Sequence, residues 1–478
     1  MGLMSKAVGG TVAAALVLAS GYFWADLHDL VPGVLTIAPE TPDPKPFPTV
    51  NVPEARPEVA QVLSALPAGA PIPTAAHVSE LVKELTGNTD HLGKSVAVIV
   101  TDGITGEVLG ESSADKAVIP ASVQKLFTAV VALDQLDPNQ TLRTRVVLSG
   151  TNTLYLAGEG DMMLSAKKGD PDATNGHAGL QDLAEQVAAK LKLAGIEEVN
   201  LKLDESAFRG NPLGPWDEDL VPLGYAAPVS VVAVDTGRRS EGNYAPRYTD
   251  PALEAAKSFA ARLKEQGIAV KGAVSKGVYE SAGAALNATG DNLLGEVNSA
   301  PIPQIVQYFL KSSDNTITEI IGHTIARDRG LPASFSGSTT AVVQGLGKLG
   351  IDTSKIKLVD CSGLGESSYV TARSIDQVLE LMVSSDSTNM IDAVNGLPIG
   401  GLSGTLNDRF IERNGRGLLR AKTGSLPEVT ALAGTVVTID NRLLTFTVIA
   451  DKIPKGGQWG ARKAVDTFVE KLTECGCS

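Results

Sequence analysis

The chain has 478 residues with 43% hydrophobic and 20% charged side chains, a globular balance that excludes a disordered or fibrous organisation for its bulk. Lys and Arg number 41 against 54 Asp and Glu, a net charge of −13, and such a chain lacks the basic surface a nucleic-acid binder needs to displace counterions. Five histidines and three scattered cysteines are poor material for a zinc centre, so neither a metal nor another cofactor is expected.

In chain order, Ala7 to Trp24 is an uncharged, mostly apolar run preceded by Lys6 and followed by Asp26. That is the pattern of an exported chain, and residues 1–31 read as a signal peptide or an N-terminal membrane anchor. Val17 and Ala19 suit cleavage, whereas Tyr22, Phe23 and Trp24 suit an interfacial anchor; both readings stay open. The expected location is the extracytoplasmic face of the cell envelope, with membrane contact only through this segment. Residues 32–57 are proline-rich without apolar periodicity and read as an extended linker. Cys361, Cys475 and Cys477 are an odd set that suggests no disulfide framework.

Residues 58–142 read as the first part of a main domain. Ser79–Leu85 has amphipathic helical spacing, and Lys94–Val108 reads as strand, Asp-Gly turn, strand. Pro120 opens a helix over Ala121–Leu133, placed where its missing N–H costs nothing. Residues 143–290 change character, with Gly-, Asp- and Pro-rich turns between short β-like runs and helical patterns at Gln181–Ala194 and Ala252–Gln266. They read as an insert of one or two subdomains. Residues 291–478 return to the main domain. Helices are expected at Ile302–Leu310, Asn315–Arg327 and Thr339–Leu349. Three strands follow at Leu418–Thr423, Val429–Thr438 and Leu443–Ala450, with a tight Asp440-Asn441 turn between the last two, and a helix closes the chain at Gly460–Cys475. The fold class is α+β, an antiparallel sheet flanked by helices and split by the insert.

Three strings carry chemistry together: Ser122-Val-Gln-Lys125, Ser313-Asp314-Asn315 and Lys422-Thr423-Gly424. Each alone is an ordinary cap or turn; in this order they form the S-x-x-K, S-D-N, K-T-G set of penicillin-recognising serine enzymes. Ser122 and Lys125 are three apart at the start of the expected helix and so share a face. A serine hydroxyl needs a neighbouring base, and Lys125 serves once burial and nearby positive charge lower its pKa. Ser122 then attacks an amide carbonyl while the backbone N–H groups of Ser122 and Ser425 hold the oxyanion. Ser313 relays a proton to the leaving nitrogen, Asn315 holds a substrate amide, and Lys422 with Thr423 binds a terminal carboxylate. Which lysine or serine moves which proton stays open.

Beyond these motifs the sequence resembles the class C, type-4 penicillin-binding proteins. Leu156-Ala-Gly-Glu-Gly-Asp161, Leu203-Asp-Glu-Ser-Ala-Phe208 with Trp216, Ala227-Pro-Val-Ser230, Val359-Asp-Cys-Ser-Gly-Leu364 and Leu397-Pro to Gly404-Thr-Leu406 are each similar to a block of that family. The long gap between Ser122 and Ser313 also suits it. The resemblance implies a β-lactamase/transpeptidase-like domain acting as a D-Ala-D-Ala carboxypeptidase and DD-endopeptidase. Its implied substrates are peptidoglycan stem peptides, and β-lactam antibiotics are implied inhibitors. It makes Asp161 a candidate contact for the amino end of a peptide side chain, against a turn-capping aspartate as the plainer alternative. The chain departs from the family at Met162 in place of proline, at Cys361 in place of glycine, and at Gly365-Glu366 where many relatives have Ser-Arg. Two rivals are a β-lactamase, which lacks a Glu-x-x-Leu-Asn string here, and a non-catalytic wall-binding protein, which the intact motifs oppose.

Overall fold

A computed structural model of the chain describes residues 17–28, 30–31, 69–280, 284–287, 289–384 and 389–475. Residues 1–65 and 66–478 form separate units. In the first, residues 17–27 are helical; the rest of the apolar run and the proline-rich linker lie outside the described residues, as does Cys477. Among the described residues no helix is long and apolar enough to cross a membrane.

The second unit begins with helix α1 (Ala75–Gly87), whose Thr74 hydroxyl accepts from the His77 N–H at 3.3 Å. Strands β1 (Val96–Asp102) and β2 (Val108–Ser112) follow, then a 3-10 turn over Ala121–Gln124 and helix α2 (Lys125–Gln135). The chain next builds β3 (Arg143–Ser149), β4 (Thr153–Gly158), β5 (Asp161–Leu164), α3 (Leu180–Leu193), β6 (Glu198–Asp204), β7 (Val232–Val234), α4 (Pro251–Glu265), β8 (Ala269–Val270), β9 (Ser275–Lys276) and β10 (Leu293–Asn298). It returns through α5 (Ile302–Ser312), α6 (Asn315–Asp328), α7 (Phe335–Lys348), α8 (Ala372–Ser384) and α9 (Met390–Gly396). Strands β11 (Leu419–Leu426), β12 (Val429–Val437) and β13 (Leu443–Ala450) and helix α10 (Gln458–Glu474) complete it.

Five strands make an antiparallel sheet in the order β11-β12-β13-β1-β2, so the amino-terminal hairpin is completed by the last three strands of the chain. Period-two alternation divides its side chains between two cores. Ala97 and Ile99 of β1 and Ala431 and Ala433 of β12 pack with α2 and the helices around it. Val98 and Val100 of β1 and Leu432 of β12 pack on the opposite face with α1 and α10. Helix α2 is buried along nearly its whole length, from Lys125 to Leu133, which suits an apolar sequence enclosed by α5, α6, α7 and α8.

The intervening segment forms its own sheet, β10-β3-β4-β6-β8, with β9 also on β6 and with α3 and α4 packed against it. Its first and last strands, β3 and β10, are antiparallel neighbours. At their root the Leu142 N–H donates to Ser299 Oγ at 2.8 Å, and the Ser299 N–H donates to the Leu142 carbonyl at 3.0 Å. The chain therefore leaves and rejoins the main domain at one point, the geometry that lets an inserted segment interrupt a core without breaking it. The α+β sheet-and-helix architecture and its interruption agree with expectation.

Two details do not. The α-helix expected from Ala121 begins only at Lys125, because Ala121 takes a left-handed φ of 49° and the next residues coil as a 3-10 turn. Helices α8 and α9 were not anticipated, although Ile375, Val378, Leu379 and Met382 have helical spacing and are all buried.

Candidate active site

The 3-10 turn makes the nucleophile geometry tighter than a helix would. Residues three apart eclipse in a 3-10 helix, and Lys125 Nζ stands 3.0 Å from Ser122 Oγ. Two glycines let this turn approach its neighbours. A Cβ on Gly363, whose φ is 76°, would collide with the Ala121 carbonyl; one on Gly424 would sit 3.0 Å from the Pro120 oxygen and 3.3 Å from Ala121 Cβ. The glycine of the Lys422-Thr-Gly string thus sets how closely strand β11 lies against the nucleophile turn.

Lys125 is fully buried and its Nζ has three acceptors: Ser122 Oγ at 3.0 Å, Asn315 Oδ1 at 2.6 Å and the Ser362 carbonyl at 2.9 Å. Burial lowers its pKa to about 8, against the opposing pull of Asp360, Glu319 and Asp314. When one proton leaves, the position of the lone pair follows from chemistry. An amide oxygen and a carbonyl have no hydrogen to donate, so the two remaining N–H bonds stay on Asn315 and Ser362. The lone pair then faces the one partner able to reverse its bond, the Ser122 hydroxyl.

The second string forms a corner. Ser313 takes a left-handed φ of 59° and ends α5, while Asp314 caps α6 by accepting from the Ile317 N–H at 3.0 Å. Ser313 and Asn315 thereby face one space. Asn315 Nδ2 donates to the Tyr225 carbonyl at 2.9 Å, and Lys422 Nζ donates to Ser313 Oγ at 2.8 Å and to the Thr423 carbonyl at 2.9 Å. Burial, with Lys125 nearby, holds Lys422 well below the ordinary lysine pKa. Each buried lysine therefore holds one serine. Thr423 Oγ1 lies 2.8 Å from Thr405 Oγ1, and Ser425 Oγ accepts from Arg462 at 2.9 Å.

Ser122, Ser313, Asn315, Thr423, Gly424 and Ser425 line one cavity of about 1320 Å³, walled on the inserted side by Tyr225, Arg238 and Tyr244. Asp161 is not brought there. It is buried at the start of β5, where its Oδ1 accepts from the Met163 N–H at 3.0 Å, the turn-capping use of an aspartate. The departures from the family blocks are accommodated individually. The Met162 sulfur accepts from the Ser230 N–H at 3.3 Å, and Glu366 is exposed. Cys361 is buried against Gly322, where a Cβ would collide with its sulfur; burial and nearby carboxyls push its thiol pKa well above normal.

Sequence reasoning missed the groups beneath the lysine. Glu319 accepts from the Cys361 N–H at 2.9 Å, and Asp360 accepts from Trp216 Nε1 and the Gly363 N–H at 2.8 Å and from the Gly365 N–H at 2.7 Å. Together they shape the loop whose Ser362 carbonyl meets Lys125. Glu319 was legible, being one helical turn past Asn315 on the same face. Arg238, whose Nη2 reaches Asp314 Oδ2 at 3.3 Å, carried no sequence signal.

Comparison with known proteins agrees with this geometry. Residues 78–246 and 239–472 match the model of the D-Ala-D-Ala carboxypeptidase 3 (S13) family. Carboxypeptidase Rv3627c of Mycobacterium tuberculosis is 34% identical over 416 residues, covering 85% of this chain and 86% of that protein. Carboxypeptidase DacB of Mycolicibacterium smegmatis is 35% identical over 417 residues, with 85% and 86% covered. The crystal structure of penicillin-binding protein 4 from Haemophilus influenzae superposes with a TM-score of 0.66 at 22% identity, covering 82% of this chain and 98% of that one.

Proposed function

Because the chain belongs to the D-Ala-D-Ala carboxypeptidase 3 (S13) family of serine peptidases, we propose that Ser122 is the nucleophile that cleaves D-Ala-D-Ala termini of peptidoglycan stem peptides. The observation that carries this is the three-acceptor setting of Lys125, which leaves a deprotonated amine no geometry except a lone pair on Ser122 Oγ.

The reaction runs in two steps. Ser122 Oγ gives its proton to Lys125 and bonds to the carbonyl carbon of the penultimate D-Ala, while the backbone N–H groups of Ser122 and Ser425 stabilise the oxyanion. The C–N bond breaks as the leaving nitrogen takes a proton through Ser313, whose hydroxyl Lys422 holds at 2.8 Å, and terminal D-Ala departs as a free amine. Water then hydrolyses the Ser122 ester and regenerates the serine. Asn315 orients both Lys125 and the substrate amide. The hydroxyls of Thr423 and Ser425 meet the terminal carboxylate, since the buried Lys422 is occupied by Ser313. The same chemistry opens D-amino-acid cross-links as a DD-endopeptidase, and a β-lactam carbonyl acylates Ser122 in the same way. The apolar run at residues 7–24 and the proline-rich linker support action outside the cytoplasm.

Intact mass of the purified protein after exposure to a penicillin tests this directly. A long-lived adduct on the Ser122 peptide, absent from Ser122→Ala, is expected. No adduct on folded protein would sink the assignment, and a fleeting adduct with hydrolysed penicillin accumulating would make the protein a β-lactamase instead.

A further inference from the structure

Seven cationic side chains line the cavity: Arg247 donates to backbone carbonyls, Lys463 lies over the Trp459 ring, Lys311 is exposed, and the other four differ in their partners. Arg238 is neutralised by Asp314 and Asp235, Arg409 by Asp466, and Arg413 by Glu470. Arg462 lines the same cavity, is exposed, and donates instead to a neutral group, the Ser425 hydroxyl, at 2.9 Å. Its guanidinium has five N–H donors in a fixed fork, so most of its hydrogen-bonding capacity is unspent.

The fold sets this arginine at the end of the Lys-Thr-Gly-Ser strand. Gln458, at the start of α10, donates through Nε2 to the Leu426 carbonyl and, at 2.8 Å, to the Val429 carbonyl, tying the helix to the turn between β11 and β12. Arg462 follows Gln458 by one helical turn on the same face. Both side chains converge on Ser425 Oγ, Gln458 Oε1 lying 3.3 Å from it. A carboxylate accepting from the Ser425 hydroxyl would therefore lie within reach of the remaining Arg462 donors. An anion also needs a local cation here: the chain carries a net charge of −13, which repels anionic ligands at large, and Lys422 is buried and turned to Ser313.

We propose that Arg462, acting with the Ser425 hydroxyl, is the subsite that selects substrates by the free α-carboxylate of the leaving residue. The inference rests on the serine-acylation reading above. An α-carboxylate is present on a terminal D-Ala and absent from a terminal carboxamide. Arg462 holds it up to acylation, and it departs with the leaving residue, so Arg462 acts on capture and acylation and not on deacylation.

The full chain and its Arg462→Ala and Arg462→Lys variants are compared on two N-acylated peptides, one ending in D-Ala-D-Ala carboxylate and one in the carboxamide. The wild-type protein prefers the carboxylate. Arg462→Ala is expected to lower the carboxylate-to-carboxamide ratio of kcat/KM by about 10- to 100-fold, the worth of one charge-assisted hydrogen-bonded contact, with the loss expressed in KM. Arg462→Lys restores much of the ratio because it keeps the charge. A ratio unchanged in Arg462→Ala overturns the subsite while leaving Ser122 chemistry standing. Wild-type protein that cleaves neither peptide and takes no penicillin adduct overturns both.

Discussion

Arg238 Nη2 lies 3.3 Å from Asp314 Oδ2, which joins the inserted segment to the loop bearing Ser313 and Asn315. The Asp314 side chain is almost fully buried, and its other oxygen caps α6. Removing the arginine leaves that carboxylate without its strongest cation. Arg238→Gln is expected to destabilise the protein by about 1–3 kcal/mol and to slow acylation of Ser122 by roughly tenfold or more through displaced Ser313 and Asn315. Thermal unfolding and penicillin progress curves read the two effects. Acylation at the wild-type rate would remove the Arg238–Asp314 pair from any part in positioning this loop.

The base role of Lys125 has a pH signature. Its pKa of about 8 means the amine is mostly protonated at neutrality and becomes competent as pH rises. The acylation rate constant should climb about tenfold per pH unit below 8 and level off above it. Lys125→Arg keeps the charge and cannot deprotonate, so it is expected to lose at least about 10³-fold. An acylation rate flat from pH 6 to 9 would exclude this lysine as the base.

Asp161 affects stability in the opposite sense. Burial raises its pKa from 3.8 to about 7, and its Oδ2 has no hydrogen-bond partner among the described residues. A group whose pKa is higher in the folded state contributes stability below its unfolded pKa and loses it as pH rises through the folded value. Wild-type stability therefore falls between about pH 4 and pH 7 because of this group, by at most about 4 kcal/mol. Asp161→Asn keeps the acceptor for Met163 and should flatten that slope, leaving the variant the more stable protein at pH 8. Denaturant unfolding at pH 5 and pH 8 measures it, and parallel wild-type and variant slopes would refute it.

Gly424 is a spacing residue. A methyl group there meets Pro120 O and Ala431 Cβ, both at 3.0 Å, so β11 and the nucleophile turn must separate by a few tenths of an ångström. Gly424→Ala is expected to reduce kcat/KM for a D-Ala-D-Ala peptide by about 10- to 100-fold, since small displacements of reacting groups carry large rate costs. Its circular dichroism spectrum should stay native. Wild-type kinetics in this variant would show that the spacing is slack.

Much of the molecule was legible because its signals are local. The three motif strings sit on the turn that leads into a helix, on a helix corner and within a strand, and the last three strands and α10 follow plain apolar periodicities. What escaped was imposed from far away in sequence. Nothing in Pro120-Ala121-Ser122 announces a left-handed alanine; the bend is sustained by the close approach of Gly363 and Gly424 from distant segments. Asp360 and Trp216 meet across 144 positions, and no single-sequence pattern reports such a bond. Asp161 was the reverse case, a polar residue in a suggestive block that the structure places in a buried local turn, with Oδ1 accepting from the Met163 N–H.

The sheet order β11-β12-β13-β1-β2 places the first-made hairpin of the domain beside its last-made strands. Lys125 meets Asn315 across 190 positions, and Ser313 waits a further 109 for Lys422. Such distant partners come together late in folding. Since the ribosome delivers the carboxyl-terminal strands last, the three serine and lysine segments cannot assemble on a nascent chain. A product truncated before β11 has no lysine for Ser313 and no edge strand beside Ser122. The order of synthesis itself thus keeps this serine peptidase idle until its last strands are made.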